Sequence, residues 1–278
     1  MSIDRLALAD CFSADEVLAC LFKEMPALTP PIPIEVIAGE VGIAEIQRVD
    51  ATNFEGALIC NPEKSHGIIA VRSDSIPQRQ RFSIGHELAH FLIPTHESSK
   101  QGFLCKEIAA YKNVNGDPQE READSFSADL LMPYHLIRPD IVSIGEPDLE
   151  KILSLSKKYE MSMESFLRRY VSFCEFGCCA VFSKDNYVRY PVWSDGFPYL
   201  DTGKGLPIPR QSFAVHCNLG DGCVSETEEI NPTYWLSEDG QKIPACLFEQ
   251  TLCQSNGYKV TLIWFDEDLD DDEEEDIE

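Results

Sequence analysis

The chain has 278 residues and a formal net charge of −25, with 48 acidic against 23 basic side chains. A surface this acidic repels nucleic-acid phosphates, which argues against direct DNA or RNA binding. No run of about 18 apolar residues offers a membrane span, and Met1 to Asp10 lacks the basic and apolar regions of a secretory signal, so a cytoplasmic protein of two domains is expected.

In chain order, a helix is predicted near Ala14 to Lys23, followed by a proline-bounded entry at Pro30 to Pro33 and a short helix from Glu35 to Val41. Strands are expected near Ile43 to Val49, Gly56 to Asn61 and Gly67 to Val71. Next comes Arg81-Phe82-Ser83-Ile84-Gly85-His86-Glu87-Leu88-Ala89-His90-Phe91-Leu92-Ile93, apolar enough to be a core helix and stopped by Pro94. On a helix, the H-E-x-x-H pattern sets His86 and His90 one turn apart on one face, where both imidazoles reach a single Zn²⁺. Glu87 lies to the side, suited to take a proton from water rather than to bind the metal. A buried helix with these polar types needs a metal or partner to compensate them.

A hydrolytic zinc site uses three protein ligands and leaves one position open. The next predicted helix, Gln119 to Met132 with Pro133 closing it, has an apolar face of Ala123, Phe126, Leu130 and Leu131. Glu122 is the candidate third ligand, and Glu120, two residues away and on the other side of that helix, is its competitor.

These two blocks carry a resemblance. Arg79 to His90, together with Glu122-Ala123-Asp124-Ser125-Phe126-Ser127-Ala128-Asp129-Leu130-Leu131-Met132-Pro133, resembles the ImmA/IrrE metallopeptidases and their E-A-[DN]-x-F-A-A-x-L-L-M-P block. Pro30 to Ala38 followed by Gly42-Ile43 is similar to the segment that opens the family's peptidase domain, and the likeness covers about residues 10 to 175. It implies Zn²⁺ on His86, His90 and Glu122, with Glu87 as catalytic base. It also implies a minimal zincin fold, a small sheet crossed by helices with an edge strand that aligns an extended peptide. Family members cut, or otherwise disable, a helix-turn-helix repressor, so a basic DNA-binding repressor is the implied substrate; a catalytically weak zincin that binds such a repressor, or a sensory module, is the alternative. Ser127, where the family has alanine, is a small departure. An oxyanion donor is also needed, and His96, Tyr111, Tyr134 and His135 are equally within reach.

Further along, Leu149 to Tyr159 and Ser162 to Val171 read as two helices around a tight break, similar to the helix-turn-helix-like segment that follows the peptidase core in that family. Lys157, Lys158, Arg168 and Arg169 make it locally basic, a feature better suited to packing or partner docking than to DNA in so acidic a chain. From Cys178 strands return: Cys178 to Phe182 and Tyr187 to Trp193 form a hairpin, and Tyr258 to Phe265 is a final strand preceded by a helix over Leu247 to Cys253. Trp193, Trp235 and Trp264 are expected core anchors. Longer members of the family carry a GAF-like sensory domain here, and a mixed α/β ligand-binding domain is the corresponding expectation.

Eleven cysteines, odd in number and irregular in spacing, read as reduced thiols. Cys174, Cys178 and Cys179 are close enough in sequence to hold a metal or form a redox pair, with Cys217 and Cys223 as further donors, but buried small apolar residues explain them as well. The tail from Asp266 to Glu278 contains 11 acids and is expected to be disordered by self-repulsion. The expected organisation is thus α+β: a zincin-like domain over 1–140, a helical segment over 141–176, a C-terminal α+β domain over 177–265 and the acidic tail over 266–278.

Overall fold

A computed structural model describes residues 3, 7–8, 10–52, 54–96, 117–217 and 219–266, and the backbone of 103–105. Tyr111 and nearly all of the acidic tail lie outside the described residues. The chain forms two compact units, one of residues 1–137 with 158–162 and the other of 138–157 with 163–278. The helical segment expected at 141–176 is therefore divided between them, most of it in the second.

In the first unit, α1 (Ala14–Glu24) starts at Ser13, whose hydroxyl accepts from the Glu16 amide at 3.3 Å, and buries Val17, Leu18 and Leu21. Helix α2 (Ile34–Glu40) follows the proline segment. Strands β1 (Ile43–Val49), β2 (Gly56–Cys60), β3 (Gly67–Arg72) and β4 (Phe103–Cys105) assemble in the order β1-β3-β2-β4. The β1–β3 pair is parallel, and β2 runs antiparallel to both β3 and β4. Alternate residues of β3, among them Ile69 and Val71, are buried, as a half-covered sheet requires.

Helix α3 (Pro77–Leu92) packs against β2 and β3 and begins with Pro77, whose fixed φ and missing amide suit a first helical position. Its start is tied to the sheet by Glu55, a 5% exposed carboxylate that accepts from Arg72 at 3.0 Å and Arg79 at 2.8 Å. Its end is extended at Ile93, the backbone that a following proline favours. Helix α4 (Pro118–Leu131) is capped by Asp117, which accepts from the Gln119 amide at 3.0 Å, and packs along α3. The contact is close because residue 85 is glycine: a Cβ there would collide with Ser127 Oγ. Ser127, the departure from the family pattern, donates to the Phe82 carbonyl at 2.8 Å and so pins α4 to the backbone of α3.

In the second unit, α6 (Leu149–Lys158) and α7 (Met163–Phe173) follow α5 (Tyr134–Val142), which straddles the division between the units. The apolar stripe of α7, Met163, Phe166, Leu167, Tyr170 and Val171, has helical spacing and packs on the sheet. That sheet is antiparallel, in the order β6-β5-β9-β8-β7, from β5 (Gly177–Lys184), β6 (Tyr187–Trp193), β7 (Glu228–Ile230), β8 (Leu247–Cys253) and β9 (Tyr258–Phe265), with the short α8 (Phe213–His216) beside β8. The expected β5–β6 hairpin is present, and Asp185 and Asn186 take positive φ of 51° and 63°, as a two-residue turn demands.

Two expectations fail here. Leu247 to Cys253 is a strand, not a helix: six of its seven residues are buried between β7 and β9, so it lacks the polar alternation by which strands are read. Trp193 is 51% exposed, whereas Trp235 and Trp264 are core residues. The basic residues of α7 are turned toward aromatic rings, Arg168 lying 4.7 Å from the Tyr190 centroid and Arg169 4.7 Å from that of Phe173. Burial brings the Arg168 guanidinium down to about 10.

Candidate metal centre

Helix α3 carries Ser83 to Phe91 as an unbroken buried run, so His86, Glu87 and His90 lie inside the first unit. One turn apart, the histidines bring their Nε2 atoms within 3.2 Å of each other. Glu120, in the first turn of α4, completes the group, with Oε2 at 3.2 Å from His86 Nε2 and Oε1 at 3.5 Å from His90 Nε2. Among the described residues, these are the three metal-ligating side chains whose donor atoms converge, all within 4.8 Å of one another.

The carboxylate that faces the two histidines is Glu120, the competitor, and not the expected Glu122. Each helical residue turns about 100°, so two positions separate these carboxylates by roughly 200° around α4. Glu122 Oε2 lies instead 3.2 Å from His96 Nε2. Asp124, one turn beyond Glu120 and on the same face, accepts from His86 Nδ1 at 2.9 Å. The usable signal in the sequence was that pairing, since Glu120 and Asp124 repeat the one-turn spacing of His86 and His90.

The donor set fits a divalent cation. In the tautomer that donates Nδ1–H to Asp124, His86 presents Nε2 as a lone pair to a cation. Burial, and then the neighbouring His86, hold His90 down to about 3, so the His90 ring is uncharged. Two ligands at 2.0–2.1 Å from a tetrahedral Zn²⁺ stand about 3.3 Å apart, and the observed separations are 3.2, 3.2 and 3.5 Å.

Glu87 is completely buried, both carboxylate oxygens shut off from solvent, beneath the first residue of β2. A Cβ on Gly56 would stand 2.5 Å from Glu87 Oε1, so that strand position tolerates only glycine without displacing the carboxylate. The end of α3 is held by Lys64, whose ammonium donates to the carbonyls of His90 at 2.7 Å, Ile93 at 2.9 Å and His96 at 2.8 Å. Helix ends leave such carbonyls without partners, and a cation there suits the negative end of the dipole.

Of the oxyanion candidates, His96 is engaged by His90 and Glu122, His135 packs edge-on against Phe22 with centroids 5.2 Å apart, and Tyr134 is 53% exposed. Of the cysteine cluster, Cys174 at the end of α7 bonds Tyr170 Oη at 3.5 Å and shares a thiol hydrogen bond with Cys178, which, like Cys179, is buried in β5. Cys217 and Cys253 stand 3.1 Å apart, sulfur to sulfur, as free thiols.

Residues 41–170 match the model of the Peptidase_M78 family, the IrrE N-terminal-like domain. Over these residues the chain is similar to the ImmA/IrrE family of peptidases. The match includes both helices that converge on His86, His90 and Glu120. Among solved structures, a Mycobacterium tuberculosis transcriptional regulator is similar at 13% identity, with a TM-score of 0.54 over 97% of this chain and 92% of that one. At that identity the likeness is one of fold. No curated protein matches the chain. Among the described residues no helix is long and apolar enough to cross a membrane.

Proposed function

We propose that the chain is a zinc-dependent endopeptidase, with His86, His90 and Glu120 as metal ligands and Glu87 as general base. The observation that carries this reading is the convergence of two histidine nitrogens and a carboxylate from two packed helices of a domain similar to that peptidase family. Bound there, Zn²⁺ supplies Lewis-acid activation of water and of a scissile carbonyl. Glu87 takes the proton of the attacking water and returns it to the leaving amine, a role suited to a carboxylate adjoining a ligand on the same helix. Asp124 holds His86 in the tautomer that leaves Nε2 free for the metal.

For the substrate we infer a basic DNA-binding repressor cut in an exposed, extended linker, which derepresses a stress or mobile-element programme in the cytoplasm. The net charge of −25 supports a basic partner, whose encounter rate falls as salt rises. One observation favours a rival: the closed environment of Glu87 suits a protein that binds the repressor without cutting it. Incubating the chain, zinc and the candidate repressor, with mass spectrometry to locate the cut, separates the two readings. Cleavage lost in Glu87→Gln supports the enzyme, and unimpaired derepression by that variant supports the binding module. Indiscriminate digestion of casein, or tight binding of free duplex DNA, would contradict the proposed substrate.

A further inference from the structure

His90 faces two ways. Its Nε2 looks toward His86 and Glu120, while its Nδ1 lies 3.0 Å from Nδ1 of His96, a residue only 1% exposed. Two imidazole nitrogens at that distance share one hydrogen, so one must donate and the other accept. Neutral His90 can offer an Nε2 lone pair to a cation only if its hydrogen sits on Nδ1, which makes His96 Nδ1 the acceptor. The hydrogen of His96 then sits on Nε2, and this atom is 3.2 Å from Glu122 Oε2, which accepts it. Every proton in the sequence Glu122, His96, His90 is thereby assigned by its neighbours.

The backbone of His96 is fixed as well, because Lys64 binds its carbonyl together with those of His90 and Ile93. The ring of His96 is consequently presented to His90 by a clamp that also closes α3. Its Nδ1 is directed at the far nitrogen of His90, away from the convergent Nε2 atoms, so it is not a fourth ligand.

We propose that Glu122 and His96 are positioning residues, a two-step relay that fixes the tautomer and orientation of His90 and raises the basicity of its Nε2 toward a divalent cation. The inference rests on the reading of His86, His90 and Glu120 as metal ligands. Residues in this relation to a ligand change metal affinity by about 10–100-fold.

The test is zinc titration of the full chain, stripped of metal, in competition with a chromophoric chelator, with far-UV circular dichroism recorded alongside. His96→Ala is expected to weaken zinc binding by about 10–100-fold, and Glu122→Ala by roughly tenfold, with the dichroism unchanged. His96→Asn is expected to restore most of the affinity, because its side-chain oxygen replaces the Nδ1 acceptor. Wild-type affinity in both alanine variants, or a His96→Asn protein as weak as His96→Ala, overturns the proposal. Zinc binding lost in Glu122→Ala but kept in Glu120→Ala overturns it by making Glu122 a ligand. If His86→Ala and His90→Ala bind zinc like the wild type, the metal centre itself falls and the relay with it.

Discussion

Two glutamates of this chain sit in opposite company. Glu249, wholly buried in β8, is surrounded by donors: Ser212 Oγ at 2.6 Å, Trp235 Nε1 at 2.9 Å and the Ala214 amide at 3.2 Å. Glu120, its side chain 46% exposed, faces two imidazole nitrogens that other groups hold in lone-pair form. A carboxylate ringed by donors is satisfied and closes a core. A carboxylate set beside two imidazole nitrogens makes with them a donor set that suits a divalent cation. The sign of its neighbours, more than burial, marks the functional group.

The strongest way to break this contrast is at the base. Glu87→Gln is expected to lower peptide cleavage by about 10²–10⁴-fold while leaving the zinc content of the purified protein unchanged. A variant that loses zinc as well would give Glu87 a ligand's role. Next in size is Gly56→Ala, whose new Cβ must push Glu87 aside. A displacement of about 1 Å costs on the order of 10²-fold in rate, so kcat should fall while metal analysis still returns full loading.

The donor-ringed side of the contrast predicts a stability effect and no metal effect. Glu249→Ala leaves Ser212 and Trp235 without their buried acceptor, at a cost of about 1–3 kcal/mol, visible as an earlier denaturant midpoint at constant zinc. A drop in zinc content would mean that the second unit supports the metal site. The smallest effect concerns Cys174, whose thiol is brought down to about 7, chiefly by hydrogen bonding from Cys178. Because the thiolate is the reactive form, alkylation at Cys174 should be half-maximal near that pH and outpace the buried Cys179, which burial pushes far up. Peptide mapping after iodoacetamide treatment at several pH values checks this order.

How much was legible followed from how local each signal is. The spacing of His86 and His90, with Pro94 behind them, is a property of one helix and could be read directly. So could the β5–β6 hairpin, fixed by two turn residues. The choice between Glu120 and Glu122 could not, because it depends on the rotation of α4 against α3, set by the contact of Gly85 with Ser127 some forty positions away. For the same reason Gly56 passed unnoticed: its requirement comes from Glu87 on another element. Strand β8 hid behind its burial between two neighbours, where tertiary pairing overrides local pattern.

The most direct measurement is zinc stoichiometry at saturating metal in Glu120→Gln and Glu122→Gln. With Glu120 as ligand and Glu122 as the end of the relay, Glu122→Gln should still load about one Zn²⁺ per chain, as expected for a single site with three protein ligands, and Glu120→Gln should load essentially none. Full loading of Glu120→Gln with an empty Glu122→Gln would contradict the account.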